Sequence, residues 1–222
     1  MARWIDKSPE FVAARYNRFA PVYGLLDWLQ GIPLIGLRRK AVAALRLKCG
    51  DTVLEVGCGD GRCFYLLQGA VGSAGRIIGI DVSPKMLARA DRLARHRGWS
   101  NVELHCVNAA EFTPPQPIQG ALFTLSYCTM RDRSAILRRV WDLLEPRGRL
   151  VIADVMMNPG IPRRFFGWLG VLVSDLSLLG KPDIEPRSDL ASNAGQVEYQ
   201  RILRFPFLQQ FEVCAAAKSK PE

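Results

Sequence analysis

Three glycines at alternate positions and two acidic residues form the part of this sequence best suited to chemistry. Gly57, Gly59 and Gly61 follow a predicted apolar strand and precede residues typical of a helix. Glycines in such a turn let a ligand approach the backbone, and amide groups at the helix start point toward it. Glu55 lies just before the turn, and Asp81 ends the next apolar strand, twenty residues past Gly61. A first βαβ unit places an acid that binds ribose hydroxyls at this distance, so the sequence predicts a site for a nucleoside-containing cofactor.

The spacing of the glycines distinguishes between possible cofactors. A dinucleotide-binding turn needs the pattern G-x-G-x-x-G, but Arg62 stands where its third glycine would be. The carboxylate of Glu55 would repel a pyrophosphate, whereas S-adenosylmethionine has no phosphate and carries an ammonium and a sulfonium. The pattern therefore favours S-adenosylmethionine over a dinucleotide.

Two segments in the right order and at the right spacing resemble motifs of the class I S-adenosylmethionine-dependent methyltransferases. Residues 53–61 are similar to the first motif, and residues 79–87, which include Val82 and Met86, are similar to the second. The resemblance implies an α/β fold with a Rossmann-like, seven-stranded, mostly parallel sheet and helices on both faces. It also implies an antiparallel C-terminal hairpin, an N-terminal helical cap, and S-adenosylmethionine as the cofactor. Val82 and Met86 then join Glu55, the three glycines and Asp81 as predicted cofactor-binding residues.

Further cofactor residues are predicted after the third and fourth strands. The family typically carries Asp-Ala after the third strand, and the acid accepts a hydrogen bond from the adenine amino group. Asn108 and Ala109 stand at that place here, and an amide oxygen is also an acceptor. Ser126 and Tyr127 end the fourth predicted strand, which faces the crevice where open α/β sheets bind ligands. Ser126 is predicted to contact the cofactor and Tyr127 the acceptor. An equally weighted alternative is that both residues only form the start of the next helix.

A helix is predicted over residues 8–30, with Pro21 expected to kink or split it, and a second helix over residues 34–45. Residues 16–23 resemble the amino-terminal Tyr-x-x-x-Ala-x-x-Tyr element of quinone C-methyltransferases and bacterial phosphatidylethanolamine N-methyltransferases. In those enzymes the element folds over the cofactor and helps to bound the acceptor pocket. The resemblance implies that Tyr16 contacts cofactor and acceptor and that Tyr23 contacts the acceptor. The alternative is that Tyr16 and Tyr23 contact no ligand and only pack this helix on the sheet.

The chain of 222 residues is long enough for one α/β domain with a sizeable core. Within a single domain, residues 1–47 are expected to form the N-terminal cap and residues 48–155 the cofactor-binding core. Residues 156–194 are expected to form a cap on the acceptor side, and residues 195–222 a pair of strands.

The formal net charge of +9 favours anionic partners. Arginines beside bulky apolar residues in segment 156–194 fit a cap that contacts an anionic membrane peripherally, or a lid over a soluble pocket; both stay open. The basic run from Arg89 to Arg97 is interpreted as a solvated surface. Six cysteines without a C-x-x-C pair, and two histidines, predict no metal site and fit free thiols in a reducing cytoplasm. The amino terminus lacks the apolar core of a signal peptide, and no apolar run of about 18 residues predicts a spanning helix.

Together these features predict methyl transfer to an apolar or lipid-like acceptor, either an aminophospholipid or a quinone type. A soluble small molecule or natural product is an alternative acceptor, and a non-catalytic cofactor-binding or scaffold protein is an alternative of another class. No nucleic-acid partner is expected, because Leu125–Cys128 replaces the Asn/Asp-Pro-Pro-Tyr type of motif at the fourth strand. No catalytic residue is assigned, because His105 is expected to lie in the core and His96 in the basic run. The oligomeric state is left open.

Overall fold

The computed structural model describes residues 8–157, 186–194, 196–204 and 209–219. Within these ranges helices and strands alternate along the core. The helices are α1 (Pro9–Leu45), α2 (Phe64–Val71), α3 (Pro84–Arg97), a 3-10 turn (Tyr127–Thr129), α4 (Arg133–Asp142) and α5 (Pro186–Ala194). The strands are β1 (Thr52–Val56), β2 (Arg76–Asp81), β3 (Val102–Cys106), β4 (Ile118–Thr124), β5 (Leu144–Met157), β6 (Glu198–Arg204) and β7 (Gln209–Ala217).

The described strands form one sheet of seven strands in the order β3-β2-β1-β4-β5-β7-β6. Strands β3, β2, β1, β4 and β5 run parallel, while β7 is antiparallel to both β5 and β6. The predicted α/β class, the mostly parallel sheet and the antiparallel C-terminal pair are confirmed. Strand order reverses between β1 and β4, so the carboxyl ends of these strands flank the crevice where such sheets bind ligands.

Alternate residues of the strands enter two hydrophobic cores, one on each face of the sheet. Val53 belongs to the first core together with Leu37 of α1, and residues of α2 and α3 join them. Leu54 belongs to the second core together with Leu137 of α4 and Leu190 of α5. Because side chains of a strand alternate between faces, a continuous apolar run such as that of β1 is what a sheet covered on both sides requires.

Helix α1 is a single helix of 37 residues, so the prediction of two helices was wrong. A proline inside a helix removes one backbone hydrogen bond and disturbs the preceding turn, yet neither Pro21 nor Pro33 ends this helix. The helix contacts β4, β5 and β7, and residues of its last turns, including Leu37 and Leu45, lie in the first core. At its start the Phe11 N–H donates to Ser8 Oγ over 3.3 Å, which satisfies one of the amides that a helix start leaves unpaired.

The expectation of a core position for His105 was wrong, because its side chain is exposed. Strand β3 is the edge strand of the sheet, so packing covers less of its surface than of a central strand. The ring of His105 lies on that of Phe112, with centroids 5.1 Å apart at a tilt of 46°. Cys106 on the same strand is exposed as well.

In the part of the chain that the structure describes, no helix is both long enough and apolar enough to cross a membrane. Most of segment 156–194, the predicted acceptor-side cap, lies outside the described residues.

Candidate functional site

A cleft opens at the carboxyl ends of β1, β2 and β4. It holds about 1060 Å³ of empty space, part of which is open solvent. Ten of the predicted cofactor residues line it: Tyr16, Glu55, Gly57, Gly59, Asp81, Val82, Met86, Asn108, Ala109 and Ser126. The structure therefore brings together residues from five separate parts of the sequence.

The glycine turn needs glycine for two different reasons. Gly57, Gly59 and Gly61 all have positive φ, at 72°, 56° and 81°, a conformation that costs other residues about 1–2 kcal/mol. A Cβ atom on Gly57 would lie 2.5 Å from Cβ of Ser126, so the end of β4 could not approach the turn. A Cβ atom on Gly61 would lie 2.7 Å from the Phe64 ring. Gly61 therefore serves the packing of α2, and it does not line the cleft.

The carboxylate of Asp81 is fixed at the cleft by backbone hydrogen bonds. Its Oδ2 accepts from the Gly59 N–H and its Oδ1 accepts from the Ser83 N–H, each over 2.8 Å. Burial raises the pKa of Asp81, while these backbone donors act in the opposite direction. Each carboxylate oxygen can accept a further hydrogen bond, so the arrangement can receive two ligand hydroxyls.

Glu55 lies in the cleft lining with an unsatisfied oxygen. The residue is 2% exposed, and its Oε2 has no hydrogen-bond partner among the described residues. Burial raises the pKa of Glu55 to about 8, although a hydrogen bond from Cys63 and the charge of Arg38 lower it. A buried carboxyl oxygen without a partner carries a desolvation cost, and a cationic ligand group placed beside it would remove that cost.

Asn108 and Ala109 follow β3 and line the cleft. Asn108 Oδ1 accepts a hydrogen bond from the Ala110 N–H over 3.1 Å, which forms a local turn. This bond fixes the amide oxygen proposed to meet the adenine amino group. The oxygen keeps a second lone pair for a ligand donor.

The end of β4 forms a wall of the cleft that is held by its own hydrogen bonds. The Ser126 hydroxyl donates to the Val56 carbonyl over 2.6 Å, and Asp154 accepts from the Cys128 N–H over 2.9 Å. Leu125, just before them, has φ of 55°, which is rare for a residue with a bulky side chain. The turn that Leu125 makes interrupts the strand alternation and sends neighbouring side chains in directions that a strand pattern does not predict.

Tyr127 is fully buried and does not line the cleft. Its hydroxyl donates to Asp189 Oδ2 of α5 over 2.9 Å, and its ring lies edge-on to Phe123. The sequence predicted an acceptor contact for Tyr127, and the structure places this side chain behind the cleft wall instead.

Helix α1 reaches the cleft at its first turns, through Pro9, Val12 and Tyr16. Asn17 Oδ1 accepts hydrogen bonds from the Ser83 hydroxyl over 2.8 Å and from the Lys85 N–H over 3.2 Å. These bonds join α1 to the start of α3. The side chain of Tyr23, the other predicted acceptor contact on α1, lies outside the described part of the structure.

Arg38 and Asp60 are charged residues of the cleft lining that were not predicted. Arg38 lies in helix α1 and is 7% exposed. The helical spacing of the apolar residues around it would have placed it on the inner face of α1. Asp60 belongs to the glycine turn, is 7% exposed, and accepts from Arg62 Nε with both oxygens at 3.1 Å. Arg89 Nε lies 3.7 Å from Asp60, so this arginine is partly a structural ion-pair residue and not only a solvated one.

An open parallel sheet with a glycine turn at its switch point and an acid after the second strand defines a class of protein that binds a nucleoside-containing cofactor. Residues 47–180 match the family described as methyltransferase domain. The chain belongs to this family.

Two relatives are similar in sequence. The chain is 32% identical over 114 residues to aklanonic acid methyltransferase DauC of Streptomyces sp. strain C5, which covers 50% of this chain and 51% of the relative. It is 30% identical over 151 residues to 2-phytyl-1,4-naphtoquinone methyltransferase of Synechococcus elongatus, which covers 67% of this chain and 65% of the relative. The matches therefore span about half to two thirds of these relatives.

Two solved structures share the fold at lower identity. The [4+2]-cyclase SpnF has a TM-score of 0.76 at 18% identity, covering 96% of this chain and 97% of that one. Phosphoethanolamine N-methyltransferase 2 of Haemonchus contortus, in complex with S-adenosylhomocysteine, has a TM-score of 0.75 at 15% identity, covering 96% and 60%. At these identities the likeness describes the fold alone.

Proposed function

We propose that this protein is an S-adenosylmethionine-dependent methyltransferase that acts on an apolar, quinone-type acceptor. The observation that carries the proposal is the cleft itself, which combines a close backbone approach at Gly57, a carboxylate fixed at Asp81 and an unsatisfied buried oxygen at Glu55. Membership of the methyltransferase domain family supports the same conclusion.

The residues present fit this cofactor. Asp81 is suited to the ribose hydroxyls, and Asn108 with Ala109 to the adenine edge. Glu55 is suited to the ammonium, because an unsatisfied carboxyl oxygen is complementary to a cation. When bound, S-adenosylmethionine supplies a methyl group activated by its sulfonium. Val82 and Met86 provide apolar surface at the same place.

The chain itself has to align an acceptor and keep water away, and alignment can supply several kcal/mol of the barrier reduction, roughly 7–11 kcal/mol in the best cases. Helix α1 brings Tyr16 and Val12 to the cleft, and the segment after β4 brings Thr129 and Met130. A general base is required only when the acceptor is a hydroxyl or a weakly acidic carbon. We assign no residue to that role.

A quinone-type acceptor is favoured by the names of the relatives, which act on 2-phytyl-1,4-naphtoquinone and aklanonic acid, and by apolar residues in the cleft lining, including Val12, Met130 and Ile136. An aminophospholipid would suit the same apolar surface. A soluble aromatic natural product is the second candidate, because the aklanonic acid methyltransferase shares 32% identity over its matched part. A non-catalytic cofactor-binding or scaffold role is the candidate of another class, since no residue of the cleft is assigned as catalytic.

An anionic membrane is part of the proposal as a peripheral partner, with the cytoplasm as the location. The net charge of +9 supports attraction to acidic headgroups. A quinone-type acceptor resides in such a membrane because it is apolar.

Calorimetric titration of the full chain with S-adenosylhomocysteine tests the cofactor assignment. Substitution Asp81→Ala should weaken binding by about 1–3 kcal/mol, because ribose hydroxyls would lose their acceptor. Asp81→Asn keeps one acceptor oxygen and should weaken binding less. The matched control is Asp91→Ala, since Asp91 pairs with Arg95 on the exposed side of α3 and does not line the cleft.

Absence of binding to the unsubstituted protein would overturn the proposed function. Equal affinities for Asp81→Ala and Asp91→Ala would overturn the ribose assignment alone. Methyl transfer from radiolabelled S-adenosylmethionine to a panel of demethylated quinones, aminophospholipids and hydroxyaromatic acids would then distinguish the acceptors, and turnover of none of them would favour the non-catalytic role.

A further inference from the structure

We propose that Glu55 holds a proton while the cleft is empty and releases it when the ammonium of the cofactor binds, so that cofactor binding is coupled to the release of one proton. The inference rests on the proposed function, because it requires a ligand that carries an ammonium. It concerns the protonation of the site rather than the identity of the cofactor.

The position of Glu55 is the first observation. The side chain is 2% exposed and belongs to the cleft lining. One of its two carboxyl oxygens, Oε2, has no hydrogen-bond partner among the described residues. An ionised carboxylate in such a position would be poorly solvated, whereas the neutral acid avoids that cost until a cation arrives.

The charges around Glu55 decide whether it stays neutral. The groups that face it from the neighbouring elements are Arg38 of α1, Asp60 and Cys58 of the glycine turn, Cys63 before α2 and Asp81 at the end of β2. The Arg38 guanidinium favours the carboxylate, while Asp60 and Asp81 oppose it. Burial raises the pKa of both thiols well above the ordinary value, so the two cysteines stay protonated and do not exchange protons near neutral pH.

Burial outweighs the favourable charge of Arg38 and raises the pKa of Glu55 to about 8. The carboxyl group is therefore about nine-tenths protonated at pH 7 in the empty cleft. An ammonium next to the carboxylate favours the charged form and lowers the pKa on binding. The O–H bond of the acid then breaks, the electron pair stays on the carboxylate, and the proton passes to the buffer.

The linkage has a defined sign. A group that is protonated in the free protein and ionised in the complex makes binding stronger as pH rises, until the free group is itself ionised. Between about pH 6 and pH 7 the dissociation constant should fall about tenfold, because one proton leaves for each ligand bound. The window ends near pH 8, where the free Glu55 ionises.

The test is calorimetric titration of the full chain with S-adenosylhomocysteine at about pH 7, in phosphate and in Tris, whose ionisation enthalpies differ. The slope of the observed heat against ionisation enthalpy counts the protons, and about 0.9 released per ligand is expected from a group with a pKa of about 8. The matched ligand is 5′-methylthioadenosine, which has the nucleoside and the sulfur but no ammonium. It should bind without releasing a proton.

The matched variant is Glu55→Gln, which preserves size and removes the titrating group. It should bind S-adenosylhomocysteine more weakly, with no proton release and with an affinity that does not change between about pH 6 and pH 7. If this variant fails to fold, the comparison of proton release between S-adenosylhomocysteine and 5′-methylthioadenosine on the unsubstituted protein still tests the inference.

Binding of S-adenosylhomocysteine without proton release, or equal release with 5′-methylthioadenosine, would overturn the inference and leave the proposed function standing. Absence of binding of either ligand would overturn the proposed function itself. The two failures therefore look different in one set of titrations.

Discussion

At the scale of single residues, Tyr127 illustrates how a side chain beside a ligand cleft can act on the fold instead of the ligand. Its ring is fully buried in the second core. Its hydroxyl donates to Asp189, which also lies 3.6 Å from Arg133 Nε. This contact joins α5 to the 3-10 turn behind the cleft wall. Tyr127 therefore stabilises the packing of these two elements and does not contact a ligand in the cleft.

Substitution Tyr127→Phe is expected to lower the free energy of unfolding by about 1 kcal/mol, because it removes one hydrogen bond while the buried ring stays in place. The loss should stay moderate, since the Asp189 side chain is 25% exposed and can be hydrated. Affinity for S-adenosylhomocysteine should not change. Urea unfolding and calorimetry measure the two quantities. A weakened affinity with unchanged stability would show that the hydroxyl acts in the cleft after all.

The residues of the site were predictable where a motif fixes them and unpredictable where a local backbone angle does. Gly57 and Asp81 have their roles because a strand, a turn and a second strand follow one another in sequence. The direction of Tyr127 depends on the turn at Leu125, whose φ of 55° no sequence pattern indicates for a leucine. Gly61 belongs to the same turn as Gly57, but only the placement of the Phe64 ring reveals that it serves packing.

At the scale of elements, the joint between α1 and α3 connects the N-terminal helix to the cofactor side of the sheet. Asn17 accepts from the Ser83 hydroxyl and the Lys85 N–H, while Ser83 Oγ accepts from the Met86 N–H over 3.2 Å. One amide oxygen therefore supports the first turn of α3, where Met86 lines the cleft.

Substitution Asn17→Ala should destabilise the fold by about 1–3 kcal/mol, because it leaves a buried hydroxyl and a helix-start amide without their acceptor. The affinity for S-adenosylhomocysteine should fall as well, since α1 carries Tyr16 at the cleft. Asn17→Asp is the control, because a carboxylate keeps both acceptors and is favoured near a helix N-terminus. Chemical unfolding and calorimetry compare the two variants, and equal losses in both would contradict this role of the amide oxygen.

Element boundaries were predicted less well than element types. Two helices were expected before β1, and one is present: α1 continues through Pro21 and Pro33, and its last turns pack in the first core. Arg147, near the start of β5, has a left-handed conformation with φ of 71°, which is rare for a residue other than glycine. The Arg147 N–H donates to the Lys218 carbonyl over 2.9 Å, a contact between residues far apart in sequence.

At the scale of the whole molecule, the sheet explains why so much of the fold could be predicted. The central strands β1, β2 and β4 are buried on both faces, so each appears in the sequence as a short apolar run. The resemblance implied a mostly parallel sheet. For Arg38 the spacing of apolar residues indicates only the inner face of α1, and its place in the cleft lining depends on the packing of this helix against the first core. Contacts between elements far apart in sequence account for what could not be predicted.

Net charge is the property of the whole molecule that bears on its proposed membrane partner. The chain carries 30 basic and 21 acidic residues. A basic residue near an anionic lipid surface contributes about 1 kcal/mol of attraction, and at about 0.1 M salt this attraction is screened beyond about 10 Å. Binding should therefore be strong only when several basic residues reach the surface together.

Co-sedimentation with lipid vesicles tests this expectation. The protein should pellet with vesicles rich in phosphatidylglycerol at about 0.1 M salt and remain in the supernatant with vesicles of phosphatidylcholine alone, because only the first carry negative charge. Raising the salt to about 1 M shortens the screening length to about 3 Å and should release most of the bound protein. No pelleting with the anionic vesicles would contradict a peripheral membrane partner and would favour a soluble acceptor, since the acceptor would then have to reach the cleft from solution.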